Sequence, residues 1–272
     1  MTSRSATAVR LAYVIGQLGA GGSERQLCYL LRTMDRERYR PAVAVAGKGQ
    51  TGGRFASLLG ELGVPVFYLA SEAPAGRLND LRRLIRTWRP EVVHSYSFYL
   101  NCAVSWAAAR SGAIPIGSLR SDYEAELRHG AWRARLCTRW PGTILANSRR
   151  ATSVASRQTG LWAARKFFYV PNGIDTEAFA VTNSPSGDGF RIAGVGRLGP
   201  EKRWDVLLEA LRQLDSSFSR EWQCQILGEG SLHSQLEAMV ARLGLSSKVT
   251  LPGFCGDPAA ALAHADVLVL TS

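Results

Sequence analysis

Two kinds of apolar pattern alternate along the sequence. Short continuous apolar runs are typical of buried strands, and longer stretches with apolar residues every three or four positions are typical of amphipathic helices. In the first part of the chain the runs predict strands at Leu11–Ile15, Ala42–Ala46, Val64–Leu69, Val92–His94, Ile114–Leu119 and Thr143–Ala146. The stretches between them predict helices at Gln26–Met34, Arg54–Leu62, Leu78–Trp88, Leu100–Arg110 and Glu124–Arg135. Strands that alternate with helices indicate an α/β fold with parallel sheets.

The same alternation starts again at Phe190. It predicts strands at Arg191–Val195, Gln223–Leu227, Val249–Leu251 and Val267–Leu270, and helices at Trp204–Leu214, Leu232–Leu243 and Pro258–Ala263. Two such series predict two doubly wound, Rossmann-like domains, an N-terminal one at 1–170 and a C-terminal one at 190–272. Between them, Pro171 followed by Asn172 and Gly173 is strong turn chemistry, so we expect a hinge and linker at 171–189.

The turn after the first strand of the second series is suited to an anion. Gly196, Gly199 and Pro200 separate that strand from the helix that starts at Trp204. Backbone N–H groups at a helix N-terminus attract negative charge, and Arg197 and Lys202 add two cationic side chains to the same turn, a combination that suits a pyrophosphate. An isolated pair of this spacing is more often two solvated loop charges, so the surrounding motifs decide between the two interpretations.

A glycine-rich loop follows the first strand of the chain, G16-Q-L-G-A-G-G22. Ser23 with Gln26 three residues later is a capping-box pattern that predicts the start of a helix. The loop is not a dinucleotide fingerprint, because Glu24 stands where a third glycine is needed, and the chain has no Walker motif. A plain tight turn between strand and helix remains the alternative.

Ligands of doubly wound sheets bind outside the carboxyl ends of the strands. The loops that begin at Gly16, Ser95, Arg120 and Asn147 should therefore share one rim of the first sheet. His94, at a strand end, is either a satisfied rim residue or a catalyst. Arg120 is a candidate anion clamp, although the neighbouring Asp122 and Glu124 offer it simple ion-pair partners.

Charge is unevenly distributed over the 272 residues, whose formal net charge is +11. Residues 1–170 contain 25 Lys and Arg against 10 Asp and Glu, whereas the remainder contains 8 against 12. A basic N-terminal part favours an anionic partner, either nucleic acid, a membrane surface or a phosphorylated substrate. No nucleic-acid recognition motif accompanies this charge.

The segment 128–140 interleaves arginine with tryptophan, which a basic helix at an anionic membrane interface also does. A solvated face with its tryptophans packed inward explains the same residues equally well. No apolar run approaches the ~18 residues of a membrane span. The five cysteines include no C-x-x-C pair, which indicates reduced thiols in a cytosolic protein.

Several segments together resemble the retaining glycosyltransferases of family 4, which have the GT-B fold. They are G19-A-G-G-S-E-R-Q-L27, V170-P-N-G-I-D175, G196-R-L-G-P-E-K-R-W204, I226-L-G-E-G-S231 and V249-T-L-P-G-F254. The resemblance implies two domains that face each other across a cleft. It also implies transfer of a sugar from a nucleotide-diphosphate sugar to an acceptor hydroxyl, with retention, in cell-surface polysaccharide or glycolipid biosynthesis.

The resemblance also implies roles for individual residues. The catalytic cations Arg197 and Lys202 would hold the diphosphate, with backbone from Gly21 and Gly22. The other donor-binding positions, around the base and ribose, would be Gly228, Glu229, Gly253 and Phe254, and the acceptor side would include His94, Tyr96, Arg120 and Asn172. Many family members have a histidine where Arg120 stands. No metal-ligand constellation is visible, so no metal or other cofactor is expected.

Partners and alternatives follow from the same pattern. We expect a glycan or lipid-linked acceptor, an anionic membrane surface as a candidate partner, no nucleic acid, and a cytoplasmic protein that lies peripherally on the inner face of the cell membrane. The chain ends after a strand and before the family's E-x7-E motif, which predicts an incomplete, truncated second domain. The alternatives are a catalytically inactive nucleotide-diphosphate-binding module and a GT-B sugar-nucleotide epimerase.

Overall fold

The chain forms two compact units, 1–174 and 175–272. The computed structural model describes residues 8–19, 21–47, 54–71, 73–159, 166–179 and 189–271. The boundary between the units falls inside the predicted linker 171–189, of which residues 180–188 lie outside the described residues.

The first unit is built on a parallel sheet. Its described strands are β1 Val9–Ile15, β2 Tyr39–Val45, β3 Val66–Tyr68, β4 Val92–Ser95, β5 Ile114–Leu119, β6 Thr143–Ala146 and β7 Phe167–Tyr169. The strand order is β3-β2-β1-β4-β5-β6-β7, with every neighbouring pair parallel. Because the chain direction across the sheet reverses between β1 and β4, the loops that follow these two strands flank the topological switch point.

Helices cover both faces of this sheet. They are α1 Gly22–Arg32, α2 Arg54–Glu61, α3 Pro74–Trp88, α4 Asn101–Ala108, α5 Tyr123–Arg139 and α6 Arg149–Thr159. Successive side chains of β1 point to opposite faces: Tyr13 and Ile15 share a core cluster with residues of α1 and α2, whereas Ala12 and Val14 share one with residues of α3 and α4. Burial on both faces explains why the strands are nearly continuous apolar runs.

The second unit repeats the design on a smaller scale. Its described elements are β8 Phe190–Val195, α7 Trp204–Ser217, β9 Trp222–Leu227, α8 His233–Arg242, β10 Val249–Gly253, α9 Pro258–Ala263 and β11 Val267–Leu268. The order β10-β9-β8-β11 places the switch point between β8 and β11. Leu207, Leu208 and Leu211 form the buried stripe of α7 and pack into one core with the sheet and α8.

The α/β, doubly wound fold class is confirmed, with two local differences from the sequence predictions. Phe167–Tyr169 forms a parallel edge strand beside β6, where the sequence analysis predicted no strand. A helix does start at the capping-box pattern, since α1 begins at Gly22, but the predicted cap does not form, because Gly21 is the N-cap and makes no side-chain cap hydrogen bond. Gln26 instead pairs with Gly173: its Nε2 donates to the carbonyl at 2.7 Å, and its Oε1 accepts from the backbone N–H at 2.8 Å.

Candidate active site

The turn after β8 is supported from below by a buried tryptophan. Trp204, the first residue of α7, is 2% exposed, and its indole N–H donates to the carbonyl of Arg197 at 2.9 Å. A side chain at Gly194 would come within 2.8 Å of the indole ring, so the strand end must be glycine to lie on the tryptophan. The turn is thereby fixed at its centre, with the Arg197 side chain exposed above it.

Three loops at the carboxyl rim of the second sheet are joined through their backbones. Gly196 donates to Leu227 at 2.9 Å, Leu198 donates to Glu229 at 2.9 Å, and Gly228 donates to Gly253 at 2.8 Å. These bonds join the loop after β8 to the end of β9 and the loop after it, and the loop after β9 to the end of β10. Gly228 and Gly253, the predicted donor-binding glycines of this unit, therefore belong to one continuous rim of hydrogen-bonded backbone.

Gly228 shows why that rim needs glycine. Its φ is +151°, which side chains rarely permit, and a Cβ there would overlap with the carbonyl oxygen of Gly196. Two of the predicted site residues, Glu229 and Phe254, are exposed beside these turns, with 48% of Phe254 accessible. They are available to a ligand of the rim, and their role stays a prediction.

Lys202 lies at the end of the same turn, shortly before α7. A Cβ at Gly196 would lie 3.5 Å from Cε of Lys202, so the lysine stem folds back over the end of β8. The carbonyl of Lys202 accepts a 2.7 Å hydrogen bond from the Thr271 hydroxyl, which ties in the segment after β11. Loops from both sides of the switch point thus converge on the turn that carries the two predicted catalytic cations.

The glycine loop of the first unit is partly occupied by its own side chains. Glu24 is 6% exposed, and a Cβ on Gly21 would overlap with its carboxylate. The positive end of the α1 dipole therefore faces a carboxylate of this chain. Gly22, in contrast, has no atom of the described residues within 4 Å of an added Cβ. Donor contacts from Gly21 and Gly22 stay a prediction.

Four loops of the first unit assemble the predicted acceptor side. The guanidinium of Arg120, after β5, lies 3.9 Å from the ring centroid of Tyr96, after β4. Its Nη1 donates to Oδ1 of Asn172 at 3.3 Å, and Nδ2 of Asn147, after β6, reaches the same oxygen at 3.4 Å. The structure thus brings Tyr96, Arg120 and Asn172 together as one cluster.

His94 lies below this cluster rather than on its surface. It is 8% exposed, and its Nε2 is hydrogen-bonded to the Ser118 hydroxyl at 3.0 Å. Burial, followed by the nearby charge of Arg120, lowers the pKa of His94 to about 3. The imidazole is therefore neutral at physiological pH and supports the ring of Tyr96, whose centroid is 5.3 Å away.

Asn101 supports the rim from below, a contribution that no sequence pattern indicated. The residue is fully buried; its Oδ1 accepts from the backbone N–H of Ser118 at 3.0 Å, and its Nδ2 donates to the carbonyls of Ser118 and Cys137 at 3.0 and 3.1 Å. One amide thus fixes the end of β5 to α5, just before Arg120. A lone asparagine in an apolar helix gives no signal of that role.

Two absences concern only the described part of the chain. There, no group of three or more His, Cys, Asp or Glu is placed to hold a metal ion. The described helices also include none long and apolar enough to span a bilayer.

Several solved structures share the fold of this chain. The chain superposes on Anabaena Alr3699/HepE in complex with UDP and glucose with a TM-score of 0.78, at 20% identity over 97% of this chain and 74% of that one. The chain superposes on the lipopolysaccharide outer core galactosyltransferase WaaB with a TM-score of 0.70, at 18% identity over 97% of this chain and 74% of that one. It superposes on UDP-GlcNAc 2-epimerase from Methanocaldococcus jannaschii with a TM-score of 0.59, at 11% identity over 96% of this chain and 78% of that one.

Two family profiles match the chain: "Glycosyl transferases group 1" over residues 175–272 and "Glycosyltransferase Family 4" over residues 20–178. Together with the fold, they define a glycosyltransferase-type protein of the GT-B class. The chain belongs to Glycosyltransferase Family 4. Comparison with curated protein sequences gives no match.

Proposed function

We propose that the protein transfers a hexose from a UDP-sugar to an acceptor hydroxyl with retention of anomeric configuration. The observation that supports this most directly is the turn after β8, where Arg197 and Lys202 stand on a rim of interlocked backbone. Negative charge develops on the leaving diphosphate as the glycosidic bond breaks, and preorganised cations stabilise that charge without reorganisation. HepE, which shares the fold, binds UDP and glucose, and this supports uridine as the base.

Each unit has a separate task in this proposal. The rim of the second unit binds the donor, with its base and ribose near Glu229, Gly253 and Phe254. The first unit binds a glycan or lipid-linked acceptor near Tyr96, Arg120 and Asn172, in the synthesis of a cell-surface polysaccharide or glycolipid. The two cations replace a divalent metal ion, so neither a metal nor another cofactor is required.

Calorimetric titration with UDP, GDP and ADP tests the donor site. We expect UDP to bind and the Arg197→Ala, Lys202→Ala double variant to bind about 100-fold more weakly, because each charge-assisted contact contributes roughly 1.5 kcal/mol. Arg203→Gln with Arg212→Gln is the matched control: it removes the same charge, and both guanidiniums are already paired, with Asp205 at 3.1 Å and Glu209 at 3.5 Å. Equal UDP affinity in the wild type and the double variant refutes the assignment.

Product analysis tests the reaction itself. With UDP-α-glucose as donor, retention predicts an α-anomeric proton in the NMR spectrum of the glycosylated product, and a β-anomer contradicts it. An epimerase would instead convert UDP-GlcNAc to its 2-epimer with no acceptor present. We expect no such conversion, and its detection would replace the transferase proposal.

We also propose that α5 rests on an anionic membrane surface on the cytoplasmic side. Trp132, Leu136 and Trp140 recur every four residues, share one helix face and are 69, 37 and 54% exposed. Exposed arginines flank this apolar stripe at Arg128, Arg133, Arg135 and Arg139. Apolar side chains that enter the interface beside guanidiniums that meet anionic headgroups suit such a surface. The five cysteines are free thiols, which fits a reducing compartment.

Sedimentation with vesicles tests this surface. The triple change of Trp132, Leu136 and Trp140 to serine should abolish binding to phosphatidylglycerol vesicles, whereas Ile114→Ser with Phe168→Ser should not. Ile114 and Phe168 are 60 and 52% exposed on other elements and serve as matched controls. Equal sedimentation of the wild type with neutral and anionic vesicles, or of the triple variant and the wild type, contradicts the proposal.

A further inference from the structure

Arg120 is a partly buried cation with no acidic partner among the residues that the structure describes. Its guanidinium is stacked on Tyr96, and its Nη1 donates to Asn172. The Nε atom is buried and has no hydrogen-bond partner among the described residues. Burial lowers the pKa of Arg120, although the side chain stays a cation. An unpaired buried donor on a charged group is costly, so the described part of the chain satisfies this guanidinium only in part.

The acidic residues closest to Arg120 in sequence are engaged elsewhere. Asp122 caps α5 by accepting from the backbone N–H of Glu124 at 3.0 Å and lies 4.0 Å from Arg128. The Glu124 carboxylate is paired with Arg150 at 3.0 Å. Within the described part of the chain no carboxylate forms an ion pair with Arg120, so the alternative that Asp122 or Glu124 neutralises it is wrong.

The side chains that the described part of the chain places against the guanidinium are neutral. Burial keeps the pKa of His94 near 3 and raises the pKa of Tyr96 above its usual value, so neither carries charge at pH 7. Asn172 and Asn147 contribute only amide groups. A guanidinium in neutral, partly desolvated surroundings keeps a strong positive potential, and its planar donors fit the oxygens of a phosphate or a carboxylate.

We propose that Arg120, backed by Tyr96 and flanked by Asn147 and Asn172, binds an oxyanion of the acceptor substrate, either a phosphate or a carboxylate. The acceptor is then an anionic glycan or a phosphate-linked carrier, rather than a neutral sugar. Only the assignment of the anion to the acceptor rests on the proposed function; the anion site itself does not require transfer activity.

NMR of arginine side chains tests the site directly. The full chain, labelled with 15N-arginine and carrying Arg197→Ala and Lys202→Ala to disable the donor turn, is titrated with methyl phosphate and with glucuronate at constant ionic strength. The Arg120 Nε–H signal is assigned by its loss in the Arg120→Lys variant. Arg82, which is stacked 3.1 Å from the ring centroid of Trp106 on other elements, is the internal control.

We expect a saturating shift of the Arg120 signal and none of the Arg82 signal. The probe that binds with the higher affinity, methyl phosphate or glucuronate, indicates whether the site prefers a phosphate or a carboxylate. No shift with either probe, or equal shifts of both signals, overturns the site.

A second measurement separates the acceptor from the donor. The UDP affinity of Arg120→Gln in the otherwise native chain should equal that of the wild type. A tenfold loss would reassign the anion to the donor and overturn the acceptor assignment. If the native chain binds no UDP but the Arg120 shift persists, the donor proposal fails and the anion site stands.

Discussion

Acid should destabilise the first unit through one buried histidine. The pKa of His94 in the folded chain is about 3, below its unfolded value of 6.5, because burial and the charge of Arg120 disfavour the imidazolium. Between these two values the unfolded chain binds the extra proton and the folded chain does not. Stability therefore falls as the pH drops below 6.5, and the loss is complete only near pH 3.

The size of the effect follows from the titration window. Lowering the pH from 7 to 5 moves the unfolded histidine about 1.5 units below its pKa, and each unit corresponds to about 1.4 kcal/mol, so His94 should cost the fold about 2 kcal/mol. The variant His94→Gln isolates this contribution, since glutamine does not titrate. Whatever the variant loses through altered packing is the same at both pH values and cancels in the difference.

The assay is urea unfolding of the wild type and the variant at pH 7 and pH 5. Pulsed hydrogen–deuterium labelling of peptides from β4 and β5 measures the unfolding of the first unit separately from that of the second. We expect the wild type to lose about 2 kcal/mol more than His94→Gln between the two pH values. Equal losses in both proteins would refute the reasoning, because they would mean that His94 is protonated as readily in the folded chain as in the unfolded one.

Three further substitutions test the supports of the two rims. Gly230→Ala should destabilise the second unit by roughly 2 kcal/mol, because the added Cβ would overlap with the backbone of Leu198; an unchanged urea midpoint contradicts this. Asn101→Ala should cost the first unit roughly 3 kcal/mol, since three buried backbone groups lose their partner, and a midpoint within error of the wild type would exclude that role. Trp204→Phe leaves the carbonyl of Arg197 unpaired, so calorimetry should show UDP affinity several-fold lower; full affinity would show that the indole bond does not shape the turn.

Local pattern explains how much of the fold was predictable. The apolar runs located the strands to within a few residues, because a buried parallel strand needs apolar side chains on both faces wherever it occurs. The edge strand β7 was not predicted, because it has only three residues, two of them exposed, and so lacks the continuous apolar run of a buried strand. The capping box failed because Gln26 found a partner 147 residues away, which no local pattern can indicate.

The sequence by itself determined the α/β class, the two series and the placement of Tyr96, Arg120 and the β8 turn at strand ends. These follow from periodicity and turn chemistry, which act over a few neighbouring residues. Only the tertiary structure decided which groups face each other there. It buried His94 as a neutral imidazole, gave the acids after β5 other partners, and left Arg120 among neutral side chains. Charge compensation and desolvation depend on distances between loops that are remote in sequence, so they are fixed only when the sheet aligns those loops along one rim.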